Sequence, residues 1–492
     1  MLGKVKHKGI VLAILATAQF MNVLDATIVN VALPAIQKSL GFTTTSQLQW
    51  VVTAYALAFG GFLLLGGRLA DLFGRRRIFL TGAAVFAIAS LAGGLAQNPT
   101  SLIAFRALQG LGGALLAPSA FSLILTIFEE GKERARALGI MSMVAGGGGA
   151  IGLLLGGILT QYADWRWNFF INLPIAIGVI IMALRYVPET KPQAKDNIDY
   201  AGALTITGSL MSLVYGLAQA PTSGWGSSTT LIPLSISAVL MAVFIVNELK
   251  VKNPLVPLSI FKRRNVSGGS IIQLLMPAAL FSMFFYLSIY MQAIMHYSPA
   301  QAGVANVPFT IILIIVAGTL SRKITKLNPK PLLVIAPLIV GAGLLYFSRI
   351  PVNSNYLTDI LPGIALMSSG MAIVFVTTSL VATAGISHKE SGLVAGLLNT
   401  GQQLGGAIGL AVLSVISTTV TRQDLIDAHG NPAHIPAALV HGFQQGFVAA
   451  AGFAVAASIV ALVVIKSVKP KQSDKDQVNE TEAEALAAIP GV

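Results

Sequence analysis

Apolar segments of about twenty residues recur along this chain from one end to the other, and they constrain its fold more than any other feature. A helix needs about twenty residues to cross a hydrocarbon core of roughly 30 Å. None of the segments alternates with the period of two that a membrane β-barrel requires. The sequence therefore predicts an all-α integral membrane protein. We expect fourteen transmembrane helices, at 10–33, 47–67, 78–98, 100–127, 136–160, 167–187, 200–220, 229–249, 267–294, 301–321, 331–349, 357–384, 391–419 and 445–466.

The composition excludes an ordinary soluble domain. Charged residues make up 10% of the 492 residues and apolar residues 54%, whereas soluble domains carry about 25% charged residues. So few charges cannot cover the surface of a protein of this size in water. The chain has no cysteine, which excludes disulfides and thiolate metal sites. It also lacks the Gly-x-x-x-x-Gly-Lys-Ser/Thr motif, so we expect no ATP site of that type.

Lysine and arginine are distributed unequally between the segments that join the spans. With the N-terminus placed in the cytoplasm, most of the 32 basic residues fall on the cytoplasmic side. The external segments then hold only Lys38, Arg166, Arg349 and Arg422. This bias predicts a multi-pass protein of the plasma membrane with both termini in the cytoplasm. It also accounts for the net charge of +13, so we expect no nucleic-acid partner.

Two short sequences recur in the second half of the chain. Gly148–Leu153 is repeated as Gly405–Leu410, and Gly67–Ala70 is loosely repeated as Gly318–Ser321, at nearly the same distance along the chain. Internal repeats of helices are typical of secondary transporters, whose substrate site lies between the repeats. We therefore predict two six-helix bundles separated by two inserted helices. The expected divisions are 1–198 (first bundle and linker), 199–265 (inserted helices and inner loop), 266–470 (second bundle) and 471–492 (a disordered cytoplasmic tail).

Three motifs carry a resemblance to a known family. The loop Gly67–Arg77, GRLADLFGRRR, resembles the signature loop of the major facilitator superfamily. The segment LDATIVNVALP around Asp25 resembles the first-helix motif of the fourteen-span drug:proton antiporter branch, and Arg106–Gly110 resembles a fourth-helix motif of the superfamily. The resemblance implies a transporter rather than an enzyme, working by alternating access. Its expected partners are a small amphipathic substrate, protons and the lipid bilayer, with a proton gradient in place of any cofactor; we expect a monomer.

Asp25 and Arg106 are the ionisable side chains that the predicted spans place deepest in the bilayer. A charge at such a depth costs on the order of 3 kcal/mol or more, so a buried ionisable residue is a functional candidate. Both residues lie at comparable depths from the external ends of helices 1 and 4. We predict that Asp25 and Arg106 couple transport to protons. A structural ion pair without a role in turnover is the alternative.

The signature loop is predicted to act as a conformational latch. Gly67 and Gly74 permit a tight turn, and Arg75 and Arg76 can anchor the loop to anionic lipids. The resemblance implies that Asp71 holds the inner ends of the two halves together. By helix-dipole logic its partner would be the N-terminal end of helix 13, near Ser391 and Gly392. The alternative is that the loop only fixes the topology.

Helix 5 carries the glycines Gly148, Gly152, Gly156 and Gly157. Their spacing resembles the antiporter motif of the fifth helix, in which glycines let a partner helix approach closely. The family usually has a proline where this chain has Leu153, which weakens the match to antiport in particular. Plain packing of small residues is the alternative.

A solute cavity is predicted from polar and aromatic residues within the spans, with packing or lipid contact as the alternative for each of them. The residues are Asn22, Tyr55, Gln109, Gln273, Tyr286, Tyr290, Asn399 and Gln402. Together these features predict a proton-coupled exporter of drugs, dyes, antiseptics or a related metabolite. The alternatives are a symporter or an exporter of one dedicated metabolite or lipid-like solute, and a membrane sensor or scaffold without turnover.

Overall fold

The protein is all-helical in a computed structural model that describes residues 7–129, 132–189, 199–252, 254–323, 327–384, 386, 388–429 and 431–467. The predicted tail at 471–492 lies outside these residues. A π-helical turn, Tyr356–Ile360, precedes the helix Leu361–Thr383. The long helices are α1 Lys8–Leu40, α2 Thr45–Phe73, α3 Arg75–Gly94, α4 Pro99–Ile127, α5 Lys132–Tyr162, α6 Trp167–Tyr186, α7 Tyr200–Ser223, α8 Ser228–Lys250, α9 Arg264–Ala293, α10 Pro299–Lys323, α11 Pro329–Phe347, α12 Leu361–Thr383, α13 His388–Asp427 and α14 Ile435–Val463.

Twelve of the described helices are long and apolar enough to cross a membrane. The bent helix α2, whose parts Gln47–Leu63 and Leu65–Phe73 meet at 49°, can be counted as a thirteenth span. Helix α5 contributes a shorter apolar stretch, Ile151–Tyr162. The all-α membrane fold is therefore confirmed, whereas the count of fourteen spans stays a prediction.

Several helix ends are set by local side-chain and backbone chemistry. Thr44 caps α2 by accepting a hydrogen bond from the backbone of Gln47. Asn98 caps α4 in the same way, and Pro99 occupies the first turn, where its missing N–H costs nothing. Helix α1 ends at Gly41, whose φ of 71° lies in the left-handed region that glycine adopts without strain.

The helices form two groups of six that pack in corresponding ways. In the first group α1 packs on α5, and α4 packs on α2 and α3; in the second, α9 packs on α13, and α12 packs on α10 and α11. The repeated glycine sequence lies at matching contacts. A β-carbon at Gly152 of α5 would lie 2.1 Å from Thr27 of α1, and one at Gly409 of α13 would lie 2.3 Å from Ala278 of α9. The repeat thus makes the same helix contact in each half.

Helix α7 lies along the seam where α2 of the first half meets α13 of the second, and α8 packs on α7. The Thr207 hydroxyl of α7 donates to the Gly61 carbonyl of α2 at 2.9 Å. The rings of Trp50 and Tyr215 lie 5.8 Å apart across the same contact. The inserted pair is therefore placed at the boundary between the halves.

The two halves are joined at one end of the molecule. We call this the distal end; it carries residues 41–44 and 163–166, whereas the opposite, basic end carries residues 74–77. The Ser288 hydroxyl of α9 donates to the Asn30 carbonyl at 2.9 Å, and Gln292 donates to the Val31 carbonyl at 2.9 Å. At the start of α10 the backbone N–H of Ala300 donates to the side chain of Gln161 at 3.2 Å. The structure is thus closed between the halves at the distal end.

Candidate functional site

Asp25 of α1 and Arg106 of α4 form an ion pair in the middle of the first half. The Arg106 Nη1 donates to Asp25 Oδ2 at 2.5 Å, and both side chains are shielded from solvent. Helix α4 can approach its neighbours here because a β-carbon at Gly110 would lie 2.3 Å from the Tyr55 carbonyl of α2. Two charges that the sequence places only at similar depths are therefore in direct contact.

Neutral amides complete the hydrogen bonding of the carboxylate. Asp25 Oδ1 accepts from Gln109 Nε2 at 2.6 Å and from Asn172 Nδ2 at 2.9 Å. The same two amides donate to the Ser90 hydroxyl, each at 3.1 Å, and Ser90 donates to the Phe169 carbonyl at 2.8 Å. Sequence reasoning missed Ser90 and Asn172. The amide of Asn172 inside an apolar span was the one signal that could have pointed to it.

Arg106 is held by more than its carboxylate. Its Nε donates to the Val51 carbonyl of α2 at 2.9 Å, and its Nη1 also donates to Gln109 Oε1 at 2.8 Å. The guanidinium carbon lies 4.3 Å from the centre of the Tyr55 ring, a cation–π distance. Among the described residues, Nη2 finds no acceptor. Both N–H groups of Nη2 are therefore left without an acceptor among these residues.

The groups around Asp25 include hydrogen-bond donors and acceptors that suit either of its protonation states. When Asp25 is ionised, the guanidinium and two amides stabilise it, and the pair is neutral as a whole. When Asp25 is protonated, its hydroxyl can donate to an amide oxygen, because Gln109 and Asn172 carry both donors and acceptors. Asn172 Oδ1 is buried without a donor among the described residues. Protonation of Asp25 would thus replace the ion pair with a neutral hydrogen bond and leave the charge of Arg106 without its counter-ion.

The residues predicted to line a cavity fall into different places. Asn22 accepts from the Tyr55 hydroxyl at 2.7 Å, next to the charge network, while Gln109 belongs to the network itself. In the second half Gln273 of α9 is 5% exposed, and its Oε1 has no partner among the described residues. Asn399 is exposed and Gln402 half-buried on α13. Asn399 and Gln402 are therefore more exposed than Gln273.

Tyr286 and Tyr290 are buried in the second half in this structure, and their place in a solute cavity stays a prediction. The ring of Tyr286 lies 5.2 Å from that of Phe443 and 6.1 Å from that of Phe447, both on α14. The Tyr290 hydroxyl donates to the Pro351 carbonyl in the distal loop after α11. Both side chains pack inside the second half, because the α9 face that carries them is turned towards α14 and that loop.

The signature loop is tied to its own half. Asp71 Oδ1 accepts from Arg75 at 3.1 and 3.2 Å, and Arg75 also donates to the Ser122 carbonyl of α4 at 3.3 Å. Arg76 donates to the Leu184 carbonyl of α6. Gly74 joins α2 to α3 with a φ of 101°, which side chains rarely adopt. A β-carbon at Gly67 would meet only the Pro118 side chain, at 3.6 Å.

The predicted latch partner near Ser391 and Gly392 cannot be compared with this arrangement. The backbone of both residues belongs to α13, but their side chains lie outside the described residues. The latch therefore stays a prediction.

The glycines of α5 face two different partners. β-Carbons at Gly148 and Gly152 would meet Val23 and Thr27 of α1 at 3.3 and 2.1 Å, and one at Gly156 would lie 2.4 Å from the Ile28 carbonyl. Gly157 instead faces α10 of the second half, 2.4 Å from the Pro299 carbonyl by the same measure. The glycines thus permit close packing both within the first half and across the seam.

Leu153, which stands where the resembling motif has proline, lies at the same seam. It is buried, and a β-carbon at Gly303 of α10 would lie 2.6 Å from its carbonyl oxygen. With leucine at this position, helix α5 keeps the backbone N–H that proline would remove.

Comparison with known proteins places the chain in a family. Residues 15–410 match the model of the Major Facilitator Superfamily. The chain is 39% identical to the puromycin resistance protein pur8 of Streptomyces alboniger, over 93% of this chain and 91% of that protein. It is 38% identical to the cephamycin export protein CmcT of Amycolatopsis lactamdurans, over 92% of each.

Solved structures show the same fold at lower sequence identity. The POT family transporter PepTSo has a TM-score of 0.68 at 16% identity, covering 92% of this chain and 97% of that one. A bacterial homolog of the human lysosomal transporter Spinster, inward-facing and unoccupied, has a TM-score of 0.67 at 16% identity, covering 94% and 98%. The sequence match over nearly the whole chain and the shared fold lead to one conclusion: this protein is a transporter and belongs to the Major Facilitator Superfamily.

Proposed function

We propose that this protein exports small amphipathic molecules across the plasma membrane in exchange for protons. The direction is supported by relatives that are named for antibiotic resistance and export. The exchange for protons rests on one observation, the ion pair of Asp25 and Arg106, each 0% exposed. A buried carboxylate that is surrounded by groups able to donate or accept is suited to alternate between its two protonation states.

Helix α1 is the element that would connect proton binding to the movement of the halves. It carries Asp25 and, about one and a half turns later, Asn30 and Val31, which bond α9 at the distal end. Loss of the ion pair on protonation would free α1 from α4 and shift these contacts. In the proposed cycle a proton enters from the distal side and binds Asp25. The site, now empty of solute, returns to face the basic side, and the proton is released there.

The orientation and assembly belong to the same proposal. The basic end, with Arg75 to Arg77 and the first described residues of α1, faces the cytoplasm, because a cytoplasmic excess of arginine and lysine sets the topology of membrane proteins. Both termini are then cytoplasmic, and the distal end faces outward. We propose that the transporter works as a monomer, since each chain contains both halves and the seam between them.

A dedicated exporter of one compound is the second candidate. The relatives described above are named for single antibiotics, puromycin and cephamycin. A broad exporter would carry several unrelated amphipaths with similar efficiency, whereas a dedicated one would carry a single chemical class and be inhibited by that class alone. Competition between labelled and unlabelled compounds in one vesicle preparation separates the two.

Flux in proteoliposomes under an imposed pH gradient tests the coupling. Wild-type protein should accumulate solute against its gradient only while the pH gradient lasts, and Asp25→Asn should abolish this uphill transport. Asp164→Asn is a matched control, because Asp164 is an exposed acid of the distal loop that pairs with Arg166. Uphill transport by Asp25→Asn would overturn the assignment. Solute movement in the same direction as protons would indicate a symporter, and the absence of flux for every compound a sensor or scaffold.

A further inference from the structure

A pair of buried carboxyl groups lies at the basic end of the inserted helices, apart from the Asp25 site. Asp199 caps the N-terminus of α7 and is 6% exposed. Glu248 lies two residues before the end of α8 and is 5% exposed. Neither residue takes part in the proposed exchange, so their burial needs its own explanation.

The two carboxyl groups converge on one point. A β-carbon at Gly202 would lie 2.2 Å from Asp199 Oδ2 and 2.7 Å from Glu248 Oε1, so both oxygens occupy the space beside this glycine. The two carboxyl groups are therefore direct neighbours. Glu248 Oε1 is itself buried, and no described residue donates a hydrogen bond to it.

The other oxygens of the two carboxyl groups accept hydrogen bonds from neutral donors. Asp199 Oδ1 accepts from the Gly202 N–H at 2.7 Å, and Asn247 Nδ2 lies 2.7 Å from each oxygen of Asp199. Glu248 Oε2 accepts from the Val256 N–H at 3.0 Å. These bonds hold each carboxyl group in place without adding a positive charge.

No cation compensates the pair within the described chain. Among these residues, no lysine, arginine or histidine forms an ion pair with Asp199 or Glu248. The nearest titratable residues along the same elements, Lys250, Lys252 and Tyr200, are exposed to the surroundings of the protein. Helix α13 packs here through apolar side chains. Two ionised carboxylates in contact at such a site would repel each other strongly, and one shared proton removes that repulsion.

We propose that Asp199 and Glu248 form a proton-binding site. One proton is bound to Glu248 Oε1, which donates a hydrogen bond to Asp199 Oδ2. Asp199 is the group that stays ionised, because the first turn of a helix and three hydrogen bonds stabilise its charge. Exposed Lys250 and Lys252 place the site close to the aqueous boundary of the basic end, from which a proton can arrive.

Proton binding at this site would fasten the inserted helices to the second half. Glu248 holds the backbone at Val256, whose side chain packs with Ile206, Phe244 and Leu404 of α7, α8 and α13. When the proton is lost, the two buried carboxylates repel each other, and this repulsion loosens the segment 254–257. The docking of this segment is therefore favoured at lower pH and weakens as the pH rises.

Infrared difference spectroscopy of the purified full-length protein in nanodiscs tests for the proton. Titration towards higher pH should remove the carbonyl band of a protonated, buried carboxylic acid. This band should be missing from Glu248→Gln at every pH and present in Asp25→Asn and in the exposed-acid control Glu189→Gln. Persistence of the same band in Glu248→Gln would overturn the proposal, as would the absence of any such band from the wild type.

Hydrogen–deuterium exchange tests the pH-dependent docking of the segment 254–257. It needs no transport activity, so its result is independent of the proposed export. In the wild type the protection factors of Leu255 and Val256, the residues of this segment that have an amide N–H, should fall about tenfold per pH unit over the range in which the docked segment holds the proton and the open one does not, because each opening there releases one proton. Above that range the protection factors should level off. Glu248→Gln replaces that proton with an amide N–H and should keep these residues protected at all pH values. An equal pH slope in this variant, or a flat profile in the wild type, would contradict the proposal.

Discussion

Two neighbouring glycines of α5 make it possible to separate fold stability from the movement of the halves. A β-carbon at Gly156 would lie 2.4 Å from the Ile28 carbonyl of α1, inside the first half. One at Gly157 would lie 2.4 Å from the Pro299 carbonyl of α10, across the seam. At Gly149 the nearest atom would be the Thr27 side chain at 3.9 Å, an ordinary contact. Gly149→Ala is therefore a matched control on the same helix.

The cost of each substitution follows from these contacts. Contacts of 2.4 Å to a carbonyl oxygen force backbone shifts, and overpacking of this kind costs about 1–3 kcal/mol. For Gly156→Ala the cost falls on the fold, partly offset by the better helix propensity of alanine, about 1 kcal/mol. For Gly157→Ala the cost falls only on the conformation in which the two halves touch at the distal end. That state should lose population relative to the open one by roughly 5- to 150-fold.

Distance measurements between spin labels can detect this shift, and the chain has no cysteine to interfere. Labels at Tyr162→Cys and Asn353→Cys would report on the two halves at the distal end, where both residues are exposed. Gly157→Ala should move the distribution to longer distances, whereas Gly149→Ala should match the wild type. Gly156→Ala should lower the melting temperature and leave the distances unchanged. If the distance distribution of Gly157→Ala matched that of the wild type, the reasoning that the two halves separate at this distal contact would be refuted.

Three further predictions concern the charge network, the loop and the topology. Arg106→Ala should cost about 3–5 kcal/mol of stability, because it leaves Asp25 buried without its counter-ion, and Arg106→Lys should recover only part of the loss; an unchanged unfolding curve for the alanine variant would argue against the ion pair. Asp71→Asn should insert normally but transport poorly, and wild-type flux would reduce the loop to an anchor. Reporter fusions within Pro221–Gly226 should lie outside and those at Arg263 inside the cell; the opposite result at either site would reverse the orientation or change the count of spans.

The sequence predicted those parts of the structure for which burial leaves a strong energetic signal. An apolar block long enough to cross a bilayer must be helical, so the predicted span 100–127 matches α4, Pro99–Ile127. The high cost of a buried charge likewise singled out Asp25 and Arg106, which the structure brings into contact. Neither argument requires knowledge of which helices are neighbours.

Features that depend on helix faces could not be predicted in this way. A membrane helix is apolar on all sides, so its sequence does not show which face meets another helix. Tyr286 and Tyr290 were therefore assigned to a cavity, and their packing inside the second half was not predicted. Ser90 was missed because a serine inside a span is unremarkable until its partners are known. The start of α14 was placed at 445 rather than Ile435 because Gln444 and His441 make its first turns polar.

The charge network is confined to one of two similar halves. On α4, a β-carbon at Gly112 would meet the Phe86 nitrogen of α3; on α12, one at Gly370 would meet the Val340 nitrogen of α11. Counting from these matched contacts, and from those of Gly152 and Gly409, assigns four of the network residues an equivalent in the second half. The equivalents of Asp25, Ser90, Arg106 and Gln109 are Met276, Leu344, Ile364 and Met367, all 0% exposed.

Rebuilding the ion pair in the second half tests this equivalence. Met276→Asp alone should cost several kcal/mol, because its carboxylate would be buried without a partner. If position 364 faces it as Arg106 faces Asp25, adding Ile364→Arg should restore part of the loss, with a coupling energy of roughly 1.5 kcal/mol or more. The measurement is a double-mutant cycle of unfolding free energies, with Met276→Leu as the control for lost volume. Zero coupling would mean that the two positions do not meet and that the halves differ here in packing as well as in charge. A positive coupling would show that positions 276 and 364 face each other as Asp25 and Arg106 do. The proposed proton exchange would still depend on Asp25, since the rebuilt pair lacks the amides and the serine that surround the original pair.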